Sequence, residues 1–166
     1  LNPLFNPQGL SHKITTMSIT TAYHGPESSP VENAVVGRFV SMGIWGDPKA
    51  IRDYCSMAVL DGPSLIAGTL YHEWQPDEGV IQLSSFSLNK RWLTRPVIRA
   101  MFHLPFACLG CQLVVLRVSE RNTGMCQIAR KFGFSKVYIP RLRGRDEGEF
   151  IFSLTDDQWK ESPYNG

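Results

Sequence analysis

The stretch Asn122-Thr-Gly-Met-Cys-Gln-Ile-Ala-Arg-Lys-Phe-Gly-Phe134 constrains the fold of this chain more than any other. Asn122 is placed to cap a helix, because its side chain accepts hydrogen bonds from the free N–H groups of a first turn. Met125, Ile128, Ala129 and Phe132 recur at helical spacing and define one apolar face. Gly133 can take the left-handed conformation that ends a helix, and Phe134 restarts an extended segment. An apolar strand, Leu113-Val-Val-Leu-Arg-Val118, comes just before. A strand, an Asn-capped helix and a Gly-Phe restart therefore follow one another without a gap.

Upstream, Val35, Val36, Phe39, Val40 and Ile44 recur at helical intervals and predict a helix over 31–44. Asp47-Pro48 predicts a further short helical turn over 49–53. Three strands follow, Cys55 to Leu60, Leu65 to Trp74 and Val80 to Leu88. Asp61-Gly62-Pro63 and Gln75-Pro-Asp-Glu-Gly79 separate them, as turns joining an antiparallel meander. Leu93 to Cys108 carries a helical stripe, with Thr94 as its cap and Pro96 in the first turn, where a missing N–H costs nothing. Pro105 should distort its last turn. A strand after a helix can lie parallel to the strand before it, through a right-handed crossover, which sets Leu113–Val118 beside Val80–Leu88. Val137 to Leu142 and Phe150 to Leu154 read as a closing hairpin around the polar turn Arg143 to Gly148. Residues 1–30 are rich in Asn, Pro, Ser, Thr and Gly and read as an extended polar arm, in which only Lys13 to Thr21 has the β-branched content of a strand. Residues 31–166 form the expected domain.

The chain has 166 residues, enough for one domain with a substantial core. Its net charge of +2 argues against broad nucleic-acid wrapping. There is no apolar run long enough for a membrane helix, and no charged leader followed by an apolar run, so neither a span nor a signal peptide is expected. Cys55, Cys108, Cys111 and Cys126 lie scattered in apolar segments, and the lone Cys108-x-x-Cys111 lacks two further ligands at zinc-site spacing. No metal is expected, and the thiols read as reduced, as in a cytoplasmic protein.

The unit from Leu116 to Phe134 resembles the closing half of the GNAT superfamily, the acyl-CoA-dependent N-acetyltransferases. Leu104-Pro-Phe-Ala-Cys-Leu-Gly110 resembles the end of the preceding helix in ribosomal-protein-type members. Glu149-Phe-Ile-Phe-Ser-Leu154 and Trp159 resemble the last strand and its tryptophan. The resemblance runs from about Ala58 to Trp159. It implies an α/β fold: a mixed, mostly antiparallel sheet with helices on both faces and a parallel strand pair that splays apart. It also implies acetyl-CoA as co-substrate and a primary amine as acceptor, either a protein N-terminus, a lysine or a small amine.

Carried onto this sequence, the resemblance puts the thioester near the backbone of Phe86, with unpaired peptide groups near Phe86 and Leu88 gripping the pantetheine and Ser84, Ser85 and Ser87 keeping bulk low. It puts a pyrophosphate at the helix start around Arg91, Leu93, Thr94 and Arg95, where helix N–H groups and the dipole favour an anion. The glycine-rich signature of that loop falls on Asn89, Trp92 and Thr94, so both small positions are lost. Arg91, Arg95 and Arg99, four apart, are the residues that could compensate. Asn122 either touches the cofactor or only caps its helix. Gln82 stands where relatives carry a general-base glutamate, and Ala129 where they carry a general-acid tyrosine. His72 and Glu73, on the neighbouring strand, are the substitute proton acceptors, and strand alternation lets at most one face the cleft. Arg141, Arg143 and Arg145 either engage an acidic ligand or form a solvated hairpin tip. The alternative to an enzyme is a GNAT-shaped binding or structural protein that docks through its arm onto a larger assembly, such as a virus particle. Trp92, Gln82 and Ala129 favour it.

Overall fold

The computed structural model describes residues 18–166. They form one seven-stranded sheet in the order β1-β2-β3-β4-β5-β7-β6, with β1 Ile19–His24, β2 Tyr54–Asp61, β3 Ser64–Gln75, β4 Val80–Ser87, β5 Leu113–Ser119, β6 Ser135–Ile139 and β7 Glu149–Thr155. Every neighbouring pair is antiparallel except β4 and β5, which run parallel across a helical crossover. The fold is of the GNAT type expected from the sequence.

The helices are α1 Pro30–Trp45, α2 Arg95–His103, α3 Thr123–Lys131 and α4 Asp156–Glu161. α1 packs on one face of the sheet. Its Val36 and Val40 meet Ala58 of β2 and Leu70 of β3 in a small core of their own. The contact is close: a Cβ on Gly43 would lie 2.2 Å from the ring of Phe86, so only glycine admits that ring beneath the helix. The opposite face carries α2 and α3 over a larger core that includes Tyr71, Ile81, Leu83, Val114, Leu116 and Phe152. The meander strands alternate between these two cores, which is why they read as nearly continuous apolar runs.

Local chemistry explains the boundaries. Thr94 and Asn122 cap α2 and α3, accepting from the N–H groups of Val97 at 3.4 Å and Met125 at 3.1 Å. The predicted helix 93–108 is shorter. α2 ends at His103, and Leu104–Cys108 forms one π-helical turn, with the N–H of Leu109 reaching back to the carbonyl of Leu104. Pro105 has no N–H to continue the α-ladder, so the chain widens there. The short helix expected over 49–53 is only a turn, tied by the Lys49 N–H to Asp47. The final hairpin opens wider than expected, because residues 140–148 are loop. α4 was not foreseen, although Thr155 and Gln158 make a full capping box. Of the region read as an arm, residues 1–17 lie outside the described residues, and Ile19–His24 is the sheet's edge strand β1.

Candidate functional site at a parted strand pair

β4 and β5 are paired only from Val80–Leu113 to Leu83–Leu116. β4 then continues to Ser87 and β5 to Ser119 without further pairing between them. Each keeps its outer neighbour. β5 stays registered with β7 as far as Ser119, and β4 with β3 as far as Ser87. The two halves of the sheet therefore diverge, and peptide groups facing the gap lose their ladder partners. The N–H of Leu88 is committed to the carbonyl of Ile66 at 3.0 Å. Alternation along a strand then turns the peptide groups of Ser85 and Ser87, rather than those of Phe86 and Leu88, toward the gap.

A cavity of about 520 Å³ fills the wedge. The last turns of α1 roof it with Ile44 and Trp45, and Ser84 and Phe86 of β4 form one wall. Arg117 and Ser119 of β5, Asn122 and Met125 at the start of α3, and Arg143 and Glu147 from the β6–β7 loop complete it. This is the α1 side of the sheet.

Ser84, on the wall of this cavity, is tied to a buried histidine. Its Oγ lies 2.8 Å from Nε2 of His72, which is buried at 4% exposure. Nδ1 of the same ring has no hydrogen-bond partner among the described residues. Burial pushes the His72 imidazole below its ordinary value of 6.5. The nearby Glu73 carboxylate opposes that, Arg117 adds to it, and burial dominates. Of the other expected proton-handling residues, Gln82 sits opposite His72 in the β3–β4 register and does not line the wedge. Glu73 is exposed at a bulge with φ 50° and, with His72, borders a separate surface cavity.

The floor of the wedge holds an ion cluster. Glu149 is 2% exposed and accepts from Nε of Arg117 at 2.7 Å and Nε of Arg143 at 2.6 Å. A carboxylate this deep needs such partners. Arg121 pairs with Glu147 at 3.4 Å, and the hydroxyl of Ser119 also donates to Glu147. Sequence reading missed Glu149, Arg117 and the contact of Ser84 with His72. Their only signal was a glutamate opening an otherwise apolar strand.

The opposite side of the wedge is closed. The indole of Trp92 is 7% exposed and belongs to the larger core. With Leu116, Met125 and Ser85 it lines a void of only about 20 Å³ between α2, α3 and the sheet. Those same three residues border the wedge cavity, so they form the partition between the two spaces.

Acetyl-CoA, implied by the fold, fits the two ends of this region unequally. The unpaired peptide groups of β4 suit an amide-bearing arm. The start of α2 offers an anion less. Thr94 N–H bonds to the carbonyl of Trp92, Pro96 has no N–H, and Val97 N–H bonds to the Thr94 hydroxyl. Arg95 donates to the carbonyl of Pro163 at 2.8 Å and lies over the ring of Tyr164, while Arg99 donates to the carbonyl of Gly166. Arg91 is exposed, its N–H held by Asn89; Leu93 packs against the core and Leu88 is exposed. Among the described residues no cluster of three His, Cys, Asp or Glu side chains could hold a metal ion, and no helix is long and apolar enough to cross a membrane.

No protein-family model and no curated protein matches the sequence. Solved structures do match. A probable acetyltransferase of the GNAT family from Chromobacterium violaceum superposes with a TM-score of 0.63 at 19% identity, over 86% of this chain and 90% of that one. A chimera of the spermidine N-acetyltransferase SpeG from Vibrio cholerae with hSSAT gives 0.64 at 10% identity, over 85% and 98%. The yncA protein of Salmonella typhimurium, solved with its cofactor acetyl-CoA, gives 0.61 at 11% identity, over 82% and 93%. The chain spans 62% of the length of a further match of acetyltransferase type, at a TM-score of 0.59 and 13% identity. The GNAT fold is shared with all of these. The finer resemblance to ribosomal-protein-type members finds no support among them.

Proposed function

We propose that the chain transfers an acetyl group from acetyl-CoA to a primary amine, with the chemistry in the wedge between β4 and β5. One observation carries this reading: the parallel pair stops at Leu83 and Leu116, and a cavity opens there whose wall serine, Ser84, is hydrogen-bonded to the buried His72 behind it. When bound, acetyl-CoA supplies the thioester, whose acetyl carbon the amine takes as the C–S bond breaks. The peptide groups of Ser85 and Ser87 hold the pantetheine arm as a further strand would, and their N–H groups stabilise the oxyanion that develops on the carbonyl. Arg91 and Asn122 border the remaining path of the cofactor, and Arg95 joins them once released from Pro163.

The proton leaves through the wall. An arriving ammonium gives its proton to Ser84 Oγ as the Ser84 hydroxyl proton passes to Nε2 of His72. This uses the tautomer with its proton on Nδ1. Burial keeps the imidazole neutral, and so able to accept, near pH 7. Ser84→Ala and His72→Gln should each lower acetyl transfer by about 10²-fold or more, without an equal change in acetyl-CoA affinity.

Trp92 favours a second reading. Its indole closes the side of the wedge that faces the start of α2, and such a chain would keep the shape and bind a partner without turnover. Titrating acetyl-CoA and CoA against thermal unfolding separates the two. A ligand at a hundred times its Kd stabilises the fold by about 2.7 kcal/mol. The enzyme reading expects that shift and release of free thiol when an amine is added. An unmoved melting temperature, with co-purification of a protein partner through residues 1–30, would replace it with the second reading.

A further inference from the structure

We infer that the wedge cavity receives a carboxylate or phosphate group, so that the acceptor is an anionic amine rather than a polyamine. The inference rests on the acetyl-transfer reading for the word acceptor, but not for the binding itself.

The ion cluster on the cavity floor supplies the argument. Arg117 and Arg143 share one carboxylate, that of Glu149, so the trio carries one positive charge in excess. Both guanidinium groups reach Glu149 through Nε. Their terminal nitrogens, the outward donors of each fork, have no hydrogen-bond partner among the described residues. Both residues line the cavity. A guanidinium clamped from behind and open in front is a preorganised receptor for a planar carboxylate or a phosphate. Two of them, one from a strand and one from a loop, converge on the same space.

The rest of the rim does not cancel this charge. Glu147 is engaged by Arg121 and by the Ser119 hydroxyl. His72 lies behind Ser84 and does not line this cavity.

The loop that presents Arg143 is itself held. The N–H of Arg143 donates to the carbonyl of Glu147 at 3.0 Å, and the N–H of Gly148 donates to Glu120 at 2.9 Å. Tyr138 donates its hydroxyl to the other oxygen of Glu120 at 2.8 Å, which ties the loop to β6. Little ordering is left for a ligand to impose. A polyamine would meet the opposite of what it needs, because its ammonium groups call for carboxylates that are free.

The test is calorimetric titration of the full chain, without acetyl-CoA, at low salt. The probes are β-alanine against propylamine, O-phosphoethanolamine against ethanolamine, and spermidine. At least one acid-bearing amine should bind roughly ten-fold or more tightly than its counterpart without the acid group and than spermidine. The tighter of the two identifies carboxylate or phosphate. Arg143→Gln should abolish the preference. Should that variant fail to fold, Arg143→Lys keeps the charge, loses the forked donors and should still reduce the preference several-fold. Equal or tighter binding of spermidine or of the amines without an acid group overturns the inference, as does absence of binding by both acid-bearing amines at about 10 mM. Thiol release is measured separately. Binding of an anionic amine without transfer sinks the proposed function alone, and faster transfer to spermidine sinks this inference alone.

Discussion

The two sides of the parted strand pair differ in kind. On the α1 side the gap is open, roofed by a helix end and floored by three arginines with two glutamates. On the α2 and α3 side the same gap is sealed by an indole, a leucine and a methionine, with barely room for a water molecule. One backbone irregularity thus produces a polar receptacle on one side and dry core on the other. The lesson is that a splayed pair is only permission for a site. The side chains on each face decide whether it is used, and here they answer differently.

The hardest way to break the contrast is Trp92→Ala. Truncating a buried tryptophan should cost about 3–5 kcal/mol, seen as a lower midpoint in urea or heat. If the indole is what limits the cofactor, the same variant binds acetyl-CoA more tightly despite its lost stability. If affinity falls with stability, the seal belongs to the core alone. A second test concerns the open side. His72 has a lower pKa folded than unfolded, so between the two values the unfolded chain binds more protons. Stability should therefore decline as pH drops below about 6.5, and level off beneath the folded value. For one proton the slope is at most about 1.4 kcal/mol per pH unit. Melting curves of the protein and of His72→Gln across this window should differ in that slope. The smallest effect is expected at the border of the two sides. Asn122→Ala removes the cap of α3 and should cost about 1 kcal/mol. A loss of acetyl-CoA affinity beyond that would give Asn122 a ligand contact as well as a cap.

Much of the architecture was legible because its punctuation is local. The glycines and prolines between β2, β3 and β4 announce the meander, and Asn122 with Gly133 brackets α3. The parting of β4 and β5 followed from the resemblance rather than from any residue that forbids pairing. The site was less legible. Arg117 reads as a surface residue on a strand, Arg143 as a hairpin tip and Glu149 as a strand start. Only the register of β5 on β7, Arg117 beside Ile151 and Ser119 beside Glu149, brings them together. His72 was named for its chemistry, but its partner Ser84 sits twelve residues away on the next strand, and diagonal contacts need the register to be seen. Trp92 was recognised as an intruder where relatives have a small residue. Its burial shows where that bulk went: inward, under the two helices.

The four-rung seam between β4 and β5 has a mechanical consequence. The blocks β1–β4 and β5–β7 are joined along the sheet by those rungs alone, with the α2 crossover as the other tether. A load that pries the molecule apart concentrates on this short joint. Amides of Val80–Leu83 and Leu113–Leu116 would then exchange with solvent as one group, and a guest bridging both blocks would act as a rivet that slows them together.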